Sequence, residues 1–153
     1  MVLAVAALSP AAALGAAKGT DRPMSGTLTA TAHDNLATQT STIDGTFLFT
    51  HLGKGTFHED ATLTSVTGNT FTLTGTATYV AANGDKLFAT ITVTGTFTGS
   101  DVVTTVSTIT GGTGRFADAS GTFTTHERVV FVSIVGSILS NTFTGTTEGQ
   151  ISY

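Results

Sequence analysis

The stretch "ITGGTGRFADASGTF", residues 109–123, decides the fold. Three glycines fall within four positions, Arg-Phe follows, and alternation then resumes. A phosphate cradle requires the spacing G-x-x-x-x-G-K-[ST], or a glycine turn between a strand and a helix. Neither is present, because the downstream residues repeat with the sheet period of two and not the helical 3.6. The stretch reads instead as a tight corner. Gly111, Gly112 and Gly114 let the chain reverse after "STIT", and "RFADASGTF" re-enters a sheet.

The same alternation extends to both sides. "SGTLTATA", "DGTFLFTH", "KGTFHEDATLTSV", "NTFTLTGTATYV", "KLFATITVTGTFTG", "DVVTTVSTIT", "ASGTFTTHERVVFVSIVG" and "SNTFTGTTEGQISY" all repeat with period two. Their joints carry Gly, Asn and Asp, as at Gly53-Lys54-Gly55, Gly68-Asn69 and Asn83-Gly84-Asp85, which suits hairpin turns. Short joints favour an antiparallel meander, and about eight strands is a number at which a sheet closes. Closure also removes the edges that invite aggregation in a chain with only 10% charged residues. The expected class is therefore all-β: a single antiparallel eight-stranded β-barrel over residues 25–153, preceded by an apolar N-terminal leader and linker over residues 1–24.

That leader, "MVLAVAALSPAAALGAAKG", is Ala-rich and short, and Pro10 interrupts it. Ala13-Leu14-Gly15 and Gly15-Ala16-Ala17 offer small residues at signal-peptidase spacing, although a basic n-region is missing. The expectation is a secretory signal or its remnant, an extracellular mature chain beginning near Lys18 to Thr27, and no membrane span in that chain. The net charge of −4 and the lack of any Lys/Arg cluster argue against nucleic acid and anionic lipid as partners. With no cysteine there is neither a disulfide framework nor a thiolate metal site.

A cassette recurs: "GTF" begins at Gly45, Gly55, Gly95 and Gly121, and "NTFT" at Asn69 and Asn141. Gly and Phe two positions apart share one strand face, and the intervening Thr takes the other. Phenylalanines from many strands thus share a face with small residues, while Thr rows such as Thr72, Thr74, Thr76, Thr78 and Thr90, Thr92, Thr94, Thr96, Thr98 occupy the opposite face. The Thr face reads as a solvated exterior of high β propensity, with an extended polysaccharide or ice surface as the alternative.

The corner motif carries a family resemblance. "GGTGRFADASGTF", with "NGDKLF" at 83–88 before it, resembles the G-G-T-G-x-F…A-x-G signature of dirigent proteins and allene oxide cyclase-like barrels, in particular their secreted bacterial members. It covers residues 83–123 and implies an eight-stranded antiparallel barrel with an apolar cavity. It carries over no activity and no catalytic residue, and the catalytic set stays unknown.

Strand parity supplies candidates for a lumen site. If the Phe face lines the barrel, Phe47, Phe49, Phe57, Phe71, Tyr79, Phe97, Phe123 and Phe131 form its wall. Glu59 and Glu127 share that face, and His51 falls beside Phe47 and Phe49. A carboxyl group in an apolar cavity favours its neutral form, which suits an acid or a hydrogen-bond donor. His33, His51, His58 and His126 lie on four segments without ligand spacing, so neither a metal nor another cofactor is expected. Three functions stay open: a secreted barrel binding a small hydrophobic molecule, a dirigent- or cyclase-like protein steering a bound substrate, or a structural domain with a filled barrel. Homo-oligomers are compatible with each.

Overall fold

The computed structural model describes residues 19–97 and 102–153. Eight strands form it: β1 (Asp21–Asn35), β2 (Thr40–Phe49), β3 (Gly53–Thr67), β4 (Thr70–Val80), β5 (Lys86–Thr96), β6 (Val102–Gly112), β7 (Ser120–Val135) and β8 (Ile138–Ser152). Each pairs antiparallel with the next, and β8 pairs with β1 to close the barrel. The leader, residues 1–18, lies outside the described residues, as does Thr98. The sheet starts earlier than the expected boundary at 25. Asp21 already pairs with Ser152, and Met24 is buried in the core.

The Gly-x-Phe cassette explains how the wall closes around large rings. Gly45 lies opposite Phe57, and Gly55 lies opposite Phe47. Phe71 lies opposite Gly95, and Phe123 opposite Gly149. In the first three pairs the ring covers the glycine of the neighbouring strand, and Gly149 is met by Phe123 Cα and Cβ. A Cβ on Gly45 would sit 2.5 Å from a Phe57 ring carbon, and one on Gly95 would sit 2.5 Å from the Phe71 ring. The rings have room because their partners have no side chain. On the outside the same register stacks threonine on threonine, as in Thr74 against Thr92 and Thr76 against Thr90. Those pairs present methyl and hydroxyl groups to water.

The two barrel ends differ. The turns at 50–52, 81–85 and 113–119 and the Asp21–Ser152 end of the β1–β8 pairing lie at one end. There the corner motif forms a short 3-10 helix, Gly114–Phe116, which drives Phe116 into the core at 0% exposure. Leu52, Met24 and Ile151 are buried with it, so this end is plugged.

The two sequence stretches of the motif are one structure. Thr113 N–H donates to the Lys86 carbonyl (2.8 Å), and Lys86 N–H donates to Thr113 Oγ1 (2.8 Å). Asp85 Oδ2 accepts from the Arg115 amide (3.2 Å) and from Asn83 Nδ2 (2.7 Å). Gly114 has φ +55°, and a Cβ there would overlap the Asp85 carboxylate. Gly111 also has positive φ (130°), and a Cβ on Gly112 would overlap the Lys86 carbonyl oxygen. Gly114→Val should therefore cost more than about 1 kcal/mol, since strain and displacement of Asp85 add. A denaturation midpoint unchanged from wild type in Gly114→Val and Gly112→Val would contradict this packing.

Candidate functional site in the barrel lumen

The interior is layered along the barrel axis. Above the plug lies a nest of rings. Phe47 stacks on Phe49 at 4.5 Å between centroids, and Phe57 stacks on Tyr79 at 5.7 Å. Phe123 meets Tyr79 edge-on at 5.5 Å and Phe49 at 6.1 Å. All five are at most 3% exposed. Burial of this many rings is a large apolar contribution, and their mutual edge and stacked geometry adds to it.

The polar layer follows. Glu59 stands between Ile43 and Ala77, and Glu127 between Val103 and Gly145. Strands β3 and β7 are four apart in a closed ring of eight, so the carboxyl groups face each other across the lumen. They are 3% and 8% exposed. Tyr79 Oη–H donates to Glu59 Oε1 at 3.0 Å. With its only proton committed there, the Tyr79 oxygen accepts from Ser107 Oγ at 3.3 Å. Thr105 Oγ1 donates to Glu127 Oε2 at 3.2 Å, and Thr125 bonds Thr147 at 2.8 Å. Among the described residues, neither carboxyl has an oxygen that is both sealed and unbonded. Gly145 makes room for Glu127, since a Cβ there would lie 2.9 Å from Glu127 Cγ.

Burial sets the ionisation of the pair. Loss of hydration pushes Glu59 up to about 7, partly opposed by the Tyr79 hydrogen bond and the nearby His58. Loss of hydration and then the Glu59 charge push Glu127 up to about 8, opposed by the bond from Thr105. Burial also drives the Tyr79 hydroxyl well above its ordinary range, so it remains a donor. Near neutral pH the pair therefore holds protons that it can offer to a bound molecule.

Beyond the carboxyl layer the inward apolar residues are less fully covered. Ile43, Leu63, Phe71, Leu73, Val129 and Phe143 all take the inward parity, yet all are only partly buried. This end, the mouth of the barrel, is less tightly covered than the plugged end, although Ala32, Ser41, Ala61 and Asn141 there are buried.

Several expected lumen residues stand elsewhere. Phe97 and Phe131 have the inward parity but are 59% and 60% exposed. Phe97 falls one residue past the end of β5 and packs on Phe71 at 5.1 Å. Phe131 lies on the part of β7 that runs past Arg128, the last residue paired with β6 among the described residues. Both therefore border the mouth. His51 is not in the lumen. The chain turns at Thr50, His51 adopts φ 70°, and its Nε2–H donates to the Pro23 carbonyl at 2.9 Å, at the plugged end. Arg115 is there too, stacked over Phe116 and bonded to the His51 carbonyl.

Outside the lumen, His58 bridges Asp44 (2.8 Å) and Asp60 (3.1 Å) on the barrel surface. Its pKa is raised, chiefly by the Asp44 hydrogen bond. No group of three or more His, Asp or Glu among the described residues is disposed to hold a metal ion. Two shallow outer hollows of about 280 and 290 Å³ lie beside His58 and His126. Glu127 also lines the second, and neither brings the two acids together.

No protein-family model matches the chain, and no curated protein sequence matches it. Among solved structures, it is similar to the pterocarpan synthase dirigent protein GePTS1, at 14% identity and a TM-score of 0.47 over 97% of this chain and 99% of that one.

Proposed function

We propose that the barrel is an exported binding protein whose lumen takes a small, mostly apolar molecule bearing a neutral hydrogen-bond acceptor. The observation that carries this reading is the pair of buried, facing carboxyl groups beneath a partly open apolar wall. Apolar walls with a few convergent polar groups are the usual makeup of a small-molecule site. The ring nest closes the bottom, so ligand enters from the mouth and its polar atom meets Glu59 and Glu127. A protonated carboxyl donates to a carbonyl, ether or hydroxyl oxygen. An ionised acid would meet repulsion once the pair loses a proton, so neutral ligands are preferred.

A second reading is favoured by the coupling between the two acids. One carboxyl gives its proton to a bound substrate and itself carries the resulting negative charge, while its partner stays protonated, in the manner of a dirigent- or cyclase-like barrel. The two readings separate in the variant Glu59→Gln/Glu127→Gln. Binding without turnover marks the enzyme, whereas a binding protein has no turnover to lose.

An uncharged, environment-sensitive fluorophore tests the site. It should bind at pH 6 and lose affinity at least tenfold by pH 9, as the carboxyls ionise. Ala61→Phe and Ile43→Trp should each abolish the signal by filling the space above Glu59, with the circular dichroism of a folded sheet retained. Ala61 is buried directly beyond Glu59 on β3, and Ile43 lies opposite Glu59 on β2. Saturable binding that both folded variants retain would place the probe elsewhere and remove the proposal.

A further inference from the structure

Three polar side chains share the inward face of the barrel near its rim. Asp34 continues the parity of Leu28 and Ala32 on β1, and Ser41 lies opposite it on β2. Asn141 lies opposite Ala32 on β8, and its Nδ2–H donates to Asp34 Oδ2 at 2.8 Å. Ser41 and Asn141 are 4% and 7% exposed, and Asp34 is half-buried. Among the described residues, neither the Ser41 hydroxyl nor Asp34 Oδ1 has a hydrogen-bond partner. The strand ends that carry these groups are held in place. Leu36 N–H donates to the Ser137 carbonyl at 2.8 Å, which ties the β1–β2 turn to the β7–β8 turn. Asn35 Oδ1 accepts from the Ala37 and Thr38 amides at 3.0 and 3.2 Å. Polar atoms that are fixed in position and still have bonding capacity suit a ligand atom, because little ordering cost remains on binding.

The register gives their distance from the acid pair. Glu59 lies opposite Ile43, Ile43 lies opposite Ala32, and Asp34 stands two residues beyond Ala32. Two strand spacings and two residue rises place Asp34 roughly 10 Å from Glu59. We propose that Asp34, with Asn141 and Ser41, forms a second polar subsite that reads a hydroxyl group at the outer end of the ligand. This inference rests on the lumen reading and deepens it. The ligand is an elongated apolar molecule with an acceptor at its inner end and a hydroxyl roughly 10 Å away. The two subsites have opposite polarity. The protonated pair donates at depth, whereas a carboxylate only accepts. Asn141 occupies Oδ2, which leaves Oδ1 for the ligand O–H, and the Ser41 hydroxyl is placed to donate to the same ligand oxygen. An ether at that end would set acceptor against acceptor, so the rim selects against the methylated ligand.

A set of straight-chain methyl ketones tests this, competing with the fluorophore at pH 6. The set is matched in length to span Glu59 to Asp34 and differs only in the far end: hydroxyl, methyl or methoxy. Wild-type protein should bind the hydroxyl-ended ketone about fivefold or more tighter than the methyl-ended one, with the methoxy form weakest. Asp34→Asn keeps an oxygen for Asn141 and replaces the other carboxylate oxygen by an NH₂ donor. In that variant the methoxy form should gain and match the hydroxyl form, with the methyl-ended ketone unchanged. Equal wild-type affinities for all three, with binding still lost by pH 9, would overturn the rim subsite and leave the lumen reading standing. A hydroxyl preference that Asp34→Asn retains in full would also overturn it. Failure of every ketone to displace the fluorophore would remove both.

Discussion

Raising the pH from 5 to 9 should destabilise the fold by several kcal/mol. The direction follows from Glu59 and Glu127, whose carboxyls are pushed from 4.5 up to about 7 and about 8 by burial. A raised folded-state pKa means that the native protein holds protons the unfolded chain has already released. The contribution is fully present below pH 4.5 and is lost as pH rises through 7 to 8. At about 1.4 kcal/mol per pH unit, Glu59 accounts for about 3 kcal/mol and Glu127 for a similar or larger share. Total stability for a domain of this kind is roughly 5–15 kcal/mol, so alkaline conditions should bring it near its limit. His58, also raised, acts in the same direction and is left in place by the variants. Urea unfolding at pH 5, 7 and 9 reads the effect. Glu59→Gln/Glu127→Gln should flatten most of the slope, because the amides keep the hydrogen bonds from Tyr79 and Thr105 without an ionisable proton. A stability that rises with pH, or a slope unchanged in the double variant, would mean that water reaches these carboxyls freely.

Strand parity made the carboxyl pair legible before the fold was known. Glu59 follows Phe57 by two, and Glu127 follows Phe123 by four, so both inherit the direction of the rings. Parity has no information about height along the barrel, which is why it could not separate Phe49 from Phe97. The rim is set by where neighbouring strands stop, and β5 stops one residue before Phe97. His51 shows the second limit. It continues the alternation of Phe47 and Phe49 on paper, but the turn begins before it, and a turn resets direction.

The buried hydroxyls around the acids were harder to read. Thr105, Ser107, Thr125 and Thr147 look like more of the solvated threonine face. Their signal was the same alternation: Val103, Thr105, Ser107 and Ile109 share one side of β6, and all four are buried. Gly145 was legible as a small inward residue but not as the space into which Glu127 leans. Of the corner motif, Gly111 and Gly112 end strand β6, and Gly114 begins the 3-10 helix. The motif's tie to Asn83-Gly84-Asp85 was carried by co-occurrence in sequence, and the physical cause is Asp85, which accepts the Arg115 amide at the start of the 3-10 helix.

Removing a ring from the nest should cost far more than removing one from the mouth. Phe49 is 2% exposed and touches Phe47, Tyr79 and Phe123, whereas Phe97 is 59% exposed and rests on Phe71 alone among the rings. Phe49→Ala removes a ring that neighbouring strands cannot collapse to replace, because the barrel closure fixes their spacing. The loss should be about 3–5 kcal/mol, combining transfer and cavity costs. Phe97→Ala loses one tilted ring contact at the surface and should cost less than about 1 kcal/mol. Thermal and urea unfolding of the two variants, with Phe123→Ala as a second nest probe, measures the contrast. The difference matters for function because a rigid floor fixes how deep a ligand can descend, and so which of its atoms meets Glu59 and Glu127. Equal costs at Phe49 and Phe97 would mean that the rings are packed alike along the axis, with no division between a filled floor and an open cup.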